Sequence, residues 1–93
     1  MKQRILFVDD EVEVLDGLQR SMWVMRDIWD LEFVTSGEAA LAALKTRHFD
    51  AVVTDLRMPR MTGMELLAEL AHHYPRVGRI ILTVAMDRKT VNE

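Results

Sequence analysis

Hydrophobic positions change their period several times along the chain. Ile5-Leu6-Phe7-Val8 is a continuous apolar run, the pattern of a strand buried on both faces. Leu15, Leu18, Met22 and Met25 then recur at steps of three and four, which predicts one face of a helix. Leu31-Glu32-Phe33 alternates as a half-exposed edge strand does. Ser36 stands where an N-cap belongs, with Glu38 in the first turn of a second helix and Leu41 and Leu44 inward. Ala51-Val52-Val53-Thr54 reads as another buried strand. Thr62-Gly63-Met64-Glu65 has capping-box spacing and opens a third helix, with Leu67, Leu70, Ala71 and Tyr74 on one face. Pro75 ends it, because the residue before proline is pushed out of helical space. Arg79-Ile80-Ile81-Leu82-Thr83 predicts a fourth strand, and Asp87 an N-cap beyond it.

Strands alternating with helices predict an α/β domain, with a parallel sheet, right-handed crossovers and helices on both faces. Ninety-three residues, without repeats or linkers, suggest a single domain over 1–93. The apolar fraction of 49% and charged fraction of 29% are those of a globular domain. The absence of cysteine removes disulfides and thiolate metal sites. No run approaches a membrane span, and Met1-Lys2-Gln3-Arg4 does not open a signal peptide. A cytoplasmic setting is the expectation. A net charge of −3 argues against direct nucleic-acid binding. The chain has no Gly-rich phosphate-binding loop.

The chemistry lies in the acids. In such sheets ligands bind beyond the carboxyl ends of the strands. The first strand runs into Asp9-Asp10-Glu11, the third into Asp55, and the fourth ends at Thr83. Each has an ordinary reading: Asp9 and Asp10 as helix caps, Asp55 as a turn acid, Thr83 as a strand-end hydroxyl. If the first and third strands are neighbours, the three aspartates converge. Crowded carboxylates raise one another's pKa unless a cation sits among them. Oxygen donors without a suitable His favour Mg²⁺ over zinc or copper. A carboxylate beside Mg²⁺ can act as a nucleophile toward phosphorus, and a nearby hydroxyl such as Thr83 can donate to a phosphoryl oxygen.

The sequence resembles the receiver domain of bacterial two-component response regulators. The resemblance is carried by an apolar strand before Asp9-Asp10-Glu11, by Asp55 followed by Met58-Pro59 and Met61-Thr62-Gly63, and by a strand leading to Thr83. It implies a flavodoxin-like, doubly wound sheet of order 2-1-3-4-5. The 93 residues would hold the 2-1-3-4 part, with the fifth strand and helix missing. It implies that Asp55 accepts a phosphoryl group from a sensor histidine kinase or histidine phosphotransferase. Asp10 and Asp55 would bind Mg²⁺ directly, Asp9 through water, and Arg57 through its backbone carbonyl, with Thr83 as the switch hydroxyl. Two departures stand out. Val84 replaces the usual small residue, and the fifth-strand lysine of the family has no counterpart, since Lys89 falls in the expected fourth helix.

Without a fifth strand, Ile80-Ile81-Leu82 would form an open apolar edge, which predicts either that these residues belong to a longer natural protein or that they form a homodimer. A weaker resemblance, in residues 22–30 and Asp87-Arg88, is to receivers joined to HD-type or cyclic-di-GMP phosphodiesterase output domains. Trp23 and Trp29 also read as packing at the end of the first helix. Met58, Met61 and Met64 read as packing under the turn and third helix rather than as soft-metal ligands, and His72 and His73 as favourable at a helix C-terminus. The principal reading is a phosphoacceptor switch rather than a multiple-turnover enzyme. One alternative is a docking or dimerisation module that takes no phosphate. Another is an aspartyl-phosphate phosphatase, disfavoured because Arg57 stands where the haloacid dehalogenase type places a second acid.

Overall fold

The structure is a computed structural model, and its described residues are 2–82. Thr83, Val84, Asp87, Arg88 and Lys89 lie outside them. In chain order the elements are β1 (Gln3–Val8), α1 (Val12–Ser21), a short 3₁₀ turn (Trp23–Met25), β2 (Trp29–Val34), α2 (Gly37–Thr46), β3 (Ala51–Asp55), α3 (Gly63–His73) and β4 (Gly78–Leu82). The four strands form one parallel sheet of order β2-β1-β3-β4. This is the flavodoxin-like order expected for these elements.

Alternation along β1 and β3 divides the core between two faces. Leu6, Val8 and Val52 pack with Ala40, Ala43 and Leu44 of α2 and Leu66 and Leu70 of α3. On the other face Phe7 stacks on Phe33, with ring centroids 5.1 Å apart, and Leu15 of α1 is buried. Helices therefore cover both faces. The turn residue Phe49 is fully buried in the α2–α3 core. Asp50 ties the amino ends of the strands together. Its carboxylate accepts the Arg4 N–H at 2.8 Å, its N–H donates to Arg4 O at 2.8 Å, and its carbonyl accepts the Gly78 N–H at 2.9 Å.

The caps predicted at Ser36 and Thr62 both form. Ser36 Oγ accepts the Ala39 N–H at 3.0 Å. Thr62 Oγ1 accepts the Glu65 N–H at 3.1 Å, while Glu65 Oε1 accepts the Thr62 N–H at 2.9 Å. Thr62→Ala is expected to cost about 1 kcal/mol, a fall in melting temperature of roughly 4–8 °C for a domain of this size. Thermal denaturation followed by circular dichroism would read it.

Three local expectations are corrected. The inner face of α3 is Leu66 and Leu70, both fully buried, while Ala71 is exposed and Leu67 and Tyr74 are only partly buried. Helix α1 stops at Ser21 rather than carrying its stripe to Met25. There Arg26 Nη1 donates to Trp23 O at 3.0 Å, and its guanidinium lies 4.5 Å from the centre of the Trp23 ring. This closes a tight turn in place of another helical turn. Trp23 is consequently 61% exposed, whereas Trp29 is partly buried in β2. Met58 is buried and Met61 partly so, but Met64 points outward and is 58% exposed.

Candidate functional site

The sheet register determines where the acids fall. Val8 of β1 is paired with Thr54 of β3, so the next residues, Asp9 and Asp55, emerge side by side at the carboxyl ends of adjacent strands. Asp10 follows Asp9 into the turn before α1. One carboxylate oxygen from each of Asp9, Asp10 and Asp55 lies within 4.8 Å of the others. The cap of α1 is Glu11, without a side-chain cap bond. Neither Asp9 nor Asp10 is spent on capping that helix.

The three acids differ in setting. Asp9 is buried, Asp55 partly buried and Asp10 exposed. Asp9 Oδ1 accepts the Glu11 N–H at 2.9 Å, and its own N–H donates to Val34 O at 3.2 Å. Burial, with lesser contributions from the charges of Asp55, Asp10 and Glu11, pushes the Asp9 carboxyl up to about 6, against the pull of the Glu11 amide. Burial also raises Asp55, helped by Asp10 and partly offset by the Leu56 and Arg57 amides and the Arg57 charge. Both shifts have the sign of a site short of positive charge.

The turn beyond Asp55 is tightly built. Thr54 Oγ1 donates to Asp55 O at 2.9 Å, and the Gly63 N–H donates to Leu56 O at 2.9 Å. A Cβ on Gly63 would overlap the Asp55 carbonyl oxygen and stand 2.9 Å from Leu56 Cα. Glycine is therefore required where α3 starts against the acid strand. Arg57 is exposed. A second hollow, lined by Trp23, Arg26, Trp29 and Phe33, lies toward the amino end of β2 and is no part of the acid site.

The donor set suits a hard dication. All three groups offer oxygen, the donor type that Mg²⁺ takes. The cluster lies at the carboxyl-end rim, where flavodoxin-like α/β domains bind their ligands.

The response regulator receiver domain model matches residues 5–93. The chain belongs to that family. It is 38% identical over 85 residues to the response regulator protein PmrA of Pseudomonas aeruginosa, covering 91% of this chain and 37% of that protein. Among solved structures it resembles the signal receiver domain of an HD domain-containing protein from Pseudomonas fluorescens. There the TM-score is 0.84 at 32% identity, covering 89% of this chain and 65% of that one. It also resembles a chain from the complex of histidine kinase ThkA with response regulator TrrA. In that case the TM-score is 0.77 at 28% identity, covering 87% of this chain and 68% of that one. The chain thus spans well under half of its curated relative and about two thirds of these solved chains. No helix among the described residues is long and apolar enough to cross a membrane.

Proposed function

We propose that residues 1–93 form the phosphoacceptor unit of a two-component phosphorelay, with Asp55 as the acceptor. The observation that carries this reading is the convergence of Asp9, Asp10 and Asp55 within 4.8 Å at the carboxyl ends of β1 and β3. An Asp55 carboxylate oxygen attacks the phosphorus of a phosphohistidine. The P–O bond forms as the P–N bond breaks, and the bonding pair returns to the imidazole nitrogen. The product is an aspartyl phosphate and a free histidine. Asp10, Asp55 and the Arg57 carbonyl would hold Mg²⁺ directly, and Asp9 would hold it through water. When bound, the ion supplies positive charge against the phosphoryl oxygens. The shallow position of Asp10 and Asp55 leaves room for a donor, and the buried Asp9 stands behind them. We assign Thr83, which follows β4 in sequence, as the hydroxyl that donates to the phosphoryl group.

The partner is a sensor histidine kinase or a histidine phosphotransferase. The kinase–regulator complex among the structural relatives supports that choice. An HD-type output domain is favoured by the Pseudomonas fluorescens relative, a receiver from an HD domain-containing protein. The setting is cytoplasmic. The unit is a signalling module rather than a multiple-turnover enzyme.

Incubation with Mg²⁺ and acetyl phosphate, followed by intact mass measurement, tests the reading. A Mg²⁺-dependent phosphoryl adduct is expected in the wild type and not in Asp55→Asn. No adduct in either, at full length, would favour a docking module. Continuous release of phosphate would indicate a phosphatase.

A further inference from the structure

We infer that the turn between β2 and α2, residues 34–38, is a positioning strut for the acid site, although it contributes none of the site's ligands. The inference rests on the phosphoacceptor reading above. One end of the turn holds the Asp9 ledge, because Val34 O accepts the Asp9 N–H at 3.2 Å. The other end holds the loop that follows Asp55, by two contacts.

The first contact is steric. Met61 lies over Gly37 so closely that a Cβ there would stand 2.7 Å from Met61 Sδ and 3.1 Å from Met61 Cβ. Gly37 is the seat that lets Met61 reach the core, against which it packs. The second contact is ionic. Glu38 Oε2 accepts from Arg60 Nε at 3.2 Å, and the Glu38 carboxyl is held low first by its own backbone amide and then by the Arg60 hydrogen bond and charge. Arg60 itself has φ 65, in the left-handed region that a long side chain enters only when its surroundings fix it. The loop carrying the Arg57 carbonyl thus runs from the end of β3 to a pinned point on α2 before α3 begins. Gly37 and Glu38 are positioning residues: they act on the metal ligands through Met61 and Arg60.

Charge separates positioning from simple electrostatics. Arg60→Gln removes a positive charge from the loop that follows Asp55. Electrostatics alone would then tighten a dication, whereas loss of the anchor loosens it.

The test is calorimetric titration of the full chain with Mg²⁺ alone, beside metal-free melting of each variant. Gly37→Ala is expected to weaken Mg²⁺ on the order of tenfold, the scale on which small displacements act at a preorganised site, with little change in melting temperature. Arg60→Gln is expected to weaken it roughly threefold, the scale of an exposed ion pair. Exchanging the charges, Glu38→Arg with Arg60→Glu, should restore wild-type affinity to within about twofold. Wild-type affinity in Gly37→Ala, or tighter binding in Arg60→Gln, would overturn the inference while leaving the phosphoacceptor reading intact. A wild-type chain that takes up no Mg²⁺ would end both.

Discussion

Gly63→Ala is expected to lower stability by about 3 kcal/mol, the upper end for forcing atoms into a packed site. For a domain of this size that is a fall in melting temperature of roughly 12–24 °C. Phosphoryl acceptance should be lost even in the protein that remains folded. The cause is local. The added methyl would overlap the Asp55 carbonyl oxygen and crowd Leu56 Cα, both backbone atoms. No side-chain rotation can relieve that overlap. Either α3 withdraws, breaking the Gly63 N–H bond to Leu56 O, or the end of β3 shifts and carries the Asp55 carboxylate with it. Denaturant unfolding gives the stability change, and adduct formation below the new melting point gives the functional one. A folded Gly63→Ala protein that accepts phosphoryl at the wild-type rate would show that Asp55 does not depend on this approach.

Asp9→Asn should act in opposite directions on the fold and on the ion. Without metal, the Asp9 carboxyl has its folded value pushed up to about 6 from an ordinary 3.8. Between those values the folded chain keeps a proton that the unfolded chain has released. Stability therefore falls as pH rises through this window, and at neutral pH the ionised Asp9 is a net cost. Asparagine keeps the oxygen that accepts the Glu11 N–H and removes the charge. We expect metal-free Asp9→Asn to be more stable than wild type by on the order of 2 kcal/mol at pH 7.5, with the gap closing toward pH 4. Saturating Mg²⁺ should reverse the order. The wild type gains about 2.7 kcal/mol at a hundred times its dissociation constant, and the variant, short one charge, gains little. Melting curves at the two pH values, with and without Mg²⁺, provide the check. If the variant melts lower than wild type in metal-free buffer at neutral pH, the Asp9 charge stabilises the fold and the account of a cation-seeking cluster is wrong.

Much of this was legible in the sequence because the signals were local or periodic. The runs at residues 5–8 and 51–54 marked the two inner strands. Ser36 and the Thr62–Glu65 box marked their helix starts through chemistry confined to one turn. From the residues alone, apart from the family resemblance, the convergence of the acids was legible only through topology. Nothing in Asp9-Asp10 or Asp55 by itself distinguishes a cap from a ligand, but parallel strands with β1 beside β3 bring them together.

What escaped depends on contacts distant in sequence. Helix α3 carries apolar residues at 64, 66, 67, 68, 70 and 71, enough for two inner faces. Seating against the sheet selected Leu66 and Leu70. Phe49 has no periodicity around it, following the polar stretch Lys45-Thr46-Arg47-His48, yet it fills the core. The left-handed Arg60 carried no turn signature, since arginine is an uncommon choice there. The signal that could have raised it was the proline one residue earlier, in a loop that must turn back sharply.

Asp55 is the proposed phosphoryl acceptor. Borohydride reduces an acyl phosphate on aspartate to homoserine, so the acceptor can be trapped and located by peptide mass spectrometry. After treatment of the full chain with acetyl phosphate and Mg²⁺, the account predicts homoserine at residue 55 alone, and none when Mg²⁺ is withheld. Homoserine at Asp9 or Asp10, or no conversion at residue 55 with donor and Mg²⁺ both present, would contradict it.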